Sequence, residues 1–400
     1  MAESGFSVLP YRHRFPWWIV AGAVVLPCLY LPTLATRFDF IDDGNLVYPE
    51  PPMPLAQRLE RVWDKIVANY EHLGPFRPVL WAHWEVGAEL FGGHSLQWRL
   101  ARLLWMMLAT GMFLWLLREL GIGRWPALAT VALAMWNPYR NEIWTSLTLS
   151  EGVAMPYALA GLVCAIRAAR SRRPTPWDLG GALCVLAALG CKNTFAALVP
   201  AQFLLRIAAG DSSLSDGLRR HGPRAALLSL TLLFPVIHYV VFRLTWHPGQ
   251  YVTGGPSFAQ LERMCSVIAG ALSLDFLGVG LTIAAIIIVA DTWQKRSATG
   301  SARAIAGSYR VTLMVGVLLL FAGVAIYLPL DMVSGRYSMP GVWGADIGIA
   351  LLLSRLGEVA TVRWRPLAYA GLACGLIAVA VSNVGRQDKF AARARMLWRA

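Results

Sequence analysis

Long apolar runs separated by short clusters of arginine set the rhythm of this chain from Pro16 to Gly385. Runs that approach the thickness of the hydrocarbon layer predict membrane helices. About eleven arise, at 16–36, 97–118, 125–137, 151–168, 177–190, 194–209, 224–243, 273–292, 310–330, 340–356 and 366–384. The third, fifth and sixth are short for a full crossing, and Lys192-Asn193 between the fifth and sixth reads as a tight turn at one surface. Segment 37–96 breaks the rhythm. Within it, Pro54 to Tyr70 sets Leu55, Leu59, Val62, Ile66 and Val67 against Arg58, Glu60, Arg61, Asp64 and Lys65. Helical spacing of that kind predicts an amphipathic helix lying in the interface. Phe76 to Phe91 is a second, more apolar candidate.

The predicted fold class is therefore an all-α polytopic membrane protein. Residues 1–400 form a single membrane domain, with 37–96 as an extracytoplasmic loop carrying interfacial helices and 385–400 as a basic C-terminal tail. There is no internal repeat, low-complexity tract or soluble domain.

Arginines collect on alternate loops: Arg12 and Arg14; Arg118 and Arg124; Arg167, Arg170, Arg172 and Arg173; Arg206, Arg219, Arg220 and Arg224; Lys295, Arg296, Arg303 and Arg310; Arg355, Arg363 and Arg365. Cytoplasmic loops carry such an excess, which predicts a cytoplasmic N-terminus. The intervening loops carry the single cations Arg140, Lys192 and Arg336. The tail departs from the pattern, since Arg386, Lys389, Arg393, Arg395 and Arg399 would fall outside. Either the count is off by one span, or the tail rests on anionic head groups.

Composition agrees with this picture. Hydrophobic residues make up 56% of the chain, charged residues 15%, and the mean hydropathy is +0.51, more apolar surface than a soluble chain of this length could bury. The net charge of +13 comes from loop arginines, with no long basic run interleaved with aromatics, which argues against a nucleic-acid partner. Seventeen tryptophans suit interfacial belts. The six cysteines form no CxxC pair, so neither zinc nor a disulfide framework is expected. The first apolar run lacks a small-residue cleavage site and reads as an uncleaved anchor. These features suit a bacterial inner membrane.

Candidate chemistry begins right after that first run. Phe38-Asp39-Phe40-Ile41-Asp42-Asp43-Gly44 sets three carboxylates at the far membrane surface. A single aspartate there would be an ordinary solvated loop residue, but three within five positions at that boundary point to a working site. Other outer-surface charges are Arg77, Glu142, Glu151, Lys192, Arg243 and Arg336, with His83 and His94. A lipid phosphate needs cations near the head-group plane, and activation of an acceptor hydroxyl needs a carboxylate as general base. Both kinds of group are expected on one face. For any one of these cations, lipid contact at the interface is the commoner role.

The order of short motifs resembles the GT-C superfamily of polytopic glycosyltransferases, especially its protein O-mannosyltransferase-like branch. Phe40-Ile41-Asp42-Asp43 stands where that family has an acidic pair, and Phe76-Arg77-Pro78-Val79 resembles its Arg-Pro-Leu stretch. Leu90-Phe91-Gly92-Gly93-His94 is similar to a Leu-x-Gly…His stretch, and Asn137 to Glu142 to a His-Pro-x-x-x-Glu stretch with Asn137 in place of His. Gly190-Cys191-Lys192-Asn193 resembles a Ser-x-Lys-Glu turn with Asn193 in place of Glu, and Gly335 to Pro340 an Arg-Tyr…Pro motif. No large C-terminal extracytoplasmic domain is present to grip a polypeptide acceptor.

The resemblance implies transfer of a sugar from a polyprenyl-phosphate-linked donor to an extracytoplasmic acceptor, whether glycan, lipid or protein hydroxyl. It makes Asp42 or Asp43 the general base. Lys192 and Arg336, helped by Arg77, would hold the departing phosphate, with Asp39, Glu142, His94 and Tyr337 lining the pocket. The physical chemistry is consistent, because fixed cations in a site of low dielectric favour departure of an anionic lipid phosphate. Asp39, Asp42 and Asp43 could instead coordinate Mg²⁺ or Mn²⁺ through hard oxygen ligands. The cations available for the phosphate favour a reaction without a metal. Two other readings stand beside this one: a transporter or flippase for polyprenyl lipids or small molecules, and a non-catalytic membrane scaffold descended from such enzymes.

Overall fold

The computed structural model describes residues 16–38, 54–73, 76–209, 214–237, 258–271, 302–327, 339–359 and 365–397. Among them every regular element is helical. Among the described residues, four helical stretches are long and apolar enough to cross a membrane: Trp17–Ala35, Ser95–Glu119, Ser150–Arg170 and Tyr369–Arg395. Thr175–Cys191 and Val311–Gly323 are shorter apolar helices. The chain has the character of a membrane protein.

In chain order the helices are α1 (Trp17–Val25), α2 (Leu55–Leu73), α3 (Pro78–Phe91), α4 (Ser95–Glu119), α5 (Arg124–Trp136), α6 (Asn141–Thr145) and α7 (Ser150–Arg170). They continue as α8 (Thr175–Cys191), α9 (Leu198–Ala208), α10 (Leu214–Ser229), α11 (Phe258–Ala271), α12 (Ala302–Tyr327), α13 (Val342–Val359) and α14 (Arg365–Leu397). A tighter 3₁₀ segment, Leu26–Ala35, follows α1, because Pro27 and Pro32 remove the donors that α-helical bonding needs. Another, Asn193–Ala197, joins α8 to α9.

Helix α7 is the centre of the body, packed against α4, α8 and α9, and nearly every residue from Ser150 to Ala169 is buried. Helices α4, α7 and α9 run one way, with α5 and α8 between them running back. Two ends result. One, the arginine-rich end, gathers Arg118, Arg124, Arg167, Arg170, Arg172, Arg173 and Arg206 around the 119–124 and 170–175 connections and the end of α9. The other, the Lys192 end, gathers the start of α3 and α4, the 137–149 loop, the start of α7 and the end of α8.

Close helix approach is bought with glycine where α12 crosses α13. A Cβ on Gly316 would sit 2.9 Å from the carbonyl oxygen of Gly344, and Gly344 in turn packs on the Gly316 carbonyl. Small residues at such crossings let backbones touch in membrane bundles. Beside that crossing, Trp343 of α13 is fully buried between Phe113 and Phe195, at centroid distances of 6.3 and 6.0 Å.

Residues 385–397 of the basic C-terminal tail continue α14 as one helix to Leu397. Asn383, Gln387, Phe390 and Ala394 form its inward stripe, Asn383 and Gln387 being buried. Asn383 donates to the Tyr30 hydroxyl and the Trp136 carbonyl, both at 2.9 Å, and Tyr30 donates to the Met135 carbonyl at 2.8 Å. Gln387 donates to the Leu29 carbonyl at 3.2 Å. These carbonyls belong to the end of α5 and to the proline-broken 3₁₀ segment, which have no intrahelical donors left to meet them. Arg386 reaches the Pro138 carbonyl at 3.0 Å and lies over Tyr139. Arg386, Lys389, Arg393 and Arg395 therefore emerge at the Lys192 end.

Candidate functional site

Lys192 is the residue that ends α8, with extended backbone (φ −158°, ψ 122°), and its side chain turns inward rather than towards solvent. Its ammonium pairs with Glu151, in the first turn of α7, and both side chains are almost completely buried. Ser150 donates to the second oxygen of Glu151 at 3.1 Å. The helix ends suit the charges: a carboxylate lies at the positive end of α7 and a cation at the negative end of α8. That placement lets an ion pair persist where desolvation would otherwise be costly.

The first turn of α3 closes on the same place. Val79 packs on Gly190, where an added Cβ would lie 3.2 Å from that of Val79. Arg77, half-buried just before the helix, acts electrostatically on the Cys191 thiol. Arg77 and the Lys192–Glu151 pair thus lie at the same end of the bundle, on three segments far apart in sequence. Glu142 and His94 are exposed at this end, on α6 and at the turn between α3 and α4. Asp39, Asp42, Asp43, Arg336 and Tyr337 lie outside the described residues.

Three buried arginines at this end have partners that spacing in the sequence does not reveal. Arg140 makes a two-pronged pair with Asp346 of α13, at 2.7 and 2.9 Å, both side chains buried. Arg99 bonds the Thr145 carbonyl and, at 3.0 Å, the Arg37 carbonyl. Arg102 bonds the carbonyls of Ser146 and Leu149, at 2.6 and 3.2 Å. The signal was present for the last two: arginines three apart inside the first turns of an apolar helix require buried acceptors. Together the arginines fix the 137–149 loop between α4, α13 and α7.

Helix α2 is tied to α3 by charge. Arg61 and Lys65 both engage Glu85, and Arg58 engages Glu89. Its apolar face is only partly covered, Ile66 being buried while Leu59 and Trp63 are 61% and 57% exposed. On α3, His83 is packed 5.3 Å from Trp105, and burial together with Arg102 pushes its pKa down to about 4. It is a neutral imidazole at ordinary pH.

No protein-family model, no curated protein and no solved structure matches this chain.

Proposed function

We propose that this protein is an integral-membrane glycosyltransferase that moves a sugar from a polyprenyl-phosphate donor to an extracytoplasmic acceptor. The observation that carries the reading is that the buried Lys192–Glu151 pair and the start of α3 with Arg77 lie at one end of the bundle, opposite the 118–124 and 167–173 loops. In this reading the 118–124 and 167–173 loops face the cytoplasm, and the Lys192 end, with Arg386, Lys389, Arg393 and Arg395, meets anionic head groups at the outer face of an inner membrane. Eleven spans in a GT-C-like arrangement belong to the same proposal.

In the reaction, the acceptor oxygen attacks the anomeric carbon while the bond from that carbon to the phosphate oxygen breaks. The acceptor proton passes to Asp42 or Asp43, and the electron pair leaves with the lipid phosphate. Lys192, Arg336 and Arg77 hold that phosphate, and their charge is worth more away from water than in it. Asp39, Glu142, His94 and Tyr337 complete the pocket, and no metal takes part. Asn193 and Asn137 replace the acid and the histidine of the resembling motifs, so the acceptor differs from theirs in chemistry.

A second reading, the non-catalytic scaffold, is favoured by one fact: the Lys192 charge is compensated by Glu151 within the protein. Purified protein with labelled polyprenyl-phosphate sugar separates the two. Transfer or hydrolysis by the wild type, abolished in Asp42→Asn/Asp43→Asn with donor binding retained, supports the transferase. Binding without any turnover in the wild type supports the scaffold, and movement of labelled lipid across vesicles would instead identify a flippase.

A further inference from the structure

A cavity of about 280 Å³ lies between α3 and α4, beneath Leu147 of the 137–149 loop. Its walls are aromatic: Phe91, Trp98 and Trp105. Both indole N–H groups are already engaged, Trp98 with the Gly92 carbonyl and Trp105 with the Val153 carbonyl, each at 2.9 Å. The rings therefore offer the cavity apolar surface. Gly87 makes room for the Trp98 ring, which occupies the place a Cβ would need.

Two polar side chains reach this lining, His83 and Arg102. Arg102 is a buried cation held by two carbonyls. The lips are Val86, Leu90 and Leu104, which are 59%, 66% and 65% exposed. From Leu104 an exposed stripe runs along α4 through Leu100 and Leu108, on a helix apolar and long enough to cross a membrane. Pockets that enclose a whole drug-sized ligand run from about 300 to 1,000 Å³. This one falls just short of that, and it opens onto apolar surface.

We propose that the α3–α4 cavity is a binding site for the head group of an anionic glycerophospholipid. Its phosphate is drawn to the positive charge of Arg102 and accepts a hydrogen bond from His83, and an acyl chain lies on the Leu100, Leu104 and Leu108 stripe. The opposite arrangement, an acyl chain inside and the phosphate outside, would leave the buried charge of Arg102 facing hydrocarbon. The cavity is lined by none of Arg77, Glu151 and Lys192, and the proposal does not rest on the transferase reading.

The test uses the full chain in nanodiscs with two photoactivatable probes, phosphatidic acid and the matching uncharged diacylglycerol. Crosslinked peptides are mapped by mass spectrometry in the wild type, in Ala101→Trp, which fills the cavity, and in Val86→Trp, which narrows its exposed lip. Phosphatidic acid should label residues 78–105 about tenfold more than diacylglycerol, the advantage of a charge-assisted hydrogen bond. Both variants should remove that preference. Should Ala101→Trp fail to fold, Val86→Trp decides, since its site is exposed. Equal labelling by the two probes, or undiminished preference in the folded variants, overturns the proposal.

Discussion

Glu119 and Asp178, at the arginine-rich end, each hold two guanidiniums, whereas Glu151 and Asp346, at the Lys192 end, are each buried against a cation. Arg167 and Arg170 share Glu119, and Arg206 and Arg224 share Asp178. In each of those sets one arginine stays open to solvent, Arg170 at 43% and Arg224 at 48% of its side chain. The pairs Arg140–Asp346 and Lys192–Glu151 leave no side chain more than 6% exposed. Although Glu119 and Arg206 are themselves buried, sets of the first kind keep one guanidinium in contact with water, where an ion pair costs little to make. Fully desolvated pairs fix an arrangement, because removing one partner strands the other. The Lys192 end is therefore the place where charge placement matters most.

Asp346→Ala tests that difference with the largest expected effect. It strands the Arg140 guanidinium inside the bundle and should cost about 3–5 kcal/mol, read from unfolding in detergent. A cost below about 1 kcal/mol, the value for an exposed pair, would erase the contrast between the two ends. Asn383→Ala comes next, leaving the Tyr30 hydroxyl and the Trp136 carbonyl short of a partner; a loss of about 1–3 kcal/mol is expected. Because Asn383 ties α14 to the 3₁₀ segment, protease access to the 386–397 helix should rise with it.

His83 sharpens the comparison through pH. Its folded pKa lies near 4, below the ordinary value of 6.5, so the unfolded chain binds its proton first. Its contribution is complete above the ordinary pKa and is lost as pH falls from about 6.5 towards 4. His83→Gln should flatten that part of the Tm-against-pH curve, and an unchanged curve would contradict a buried neutral imidazole. Arg224→Gln, at the arginine-rich end, should change stability by no more than about 1 kcal/mol. A larger loss there would mean that the exposed pairs matter as much as the buried ones.

Much of the helical framework can be read from the chain. Helices α4, α5, α7 and α8 lie within two residues of the apolar runs that predict them, since arginine, proline and glycine bound each run sharply. The 54–70 and 76–91 segments also become helices, α2 and α3. Helix α14 was harder to delimit. Asn383 and Gln387 look like an exit from the membrane, yet they turn inward to meet backbone carbonyls freed by Pro32 and by the end of α5. Helix α10 begins at Leu214, ten residues before the apolar run suggests, because its first turns are amphipathic. At the candidate site, Lys192 was legible as a turn residue, but its inward pairing was not. Arg140 and Asp346 lie 206 residues apart, and no local pattern joins them. The expected partners Asp42, Asp43 and Arg336 lie outside the described residues.

The central claim is that the Lys192 end receives the lipid-linked sugar. It is tested most directly by titrating labelled polyprenyl-phosphate sugar into two charge-matched variants, Glu151→Gln/Lys192→Gln and Asp178→Asn/Arg206→Gln. Each removes one carboxylate and its cation, so the net charge is unchanged. The account predicts at least about a tenfold loss of donor affinity in the first, the scale of one charge-assisted contact to phosphate, and none in the second. Equal affinities in the two variants would contradict it.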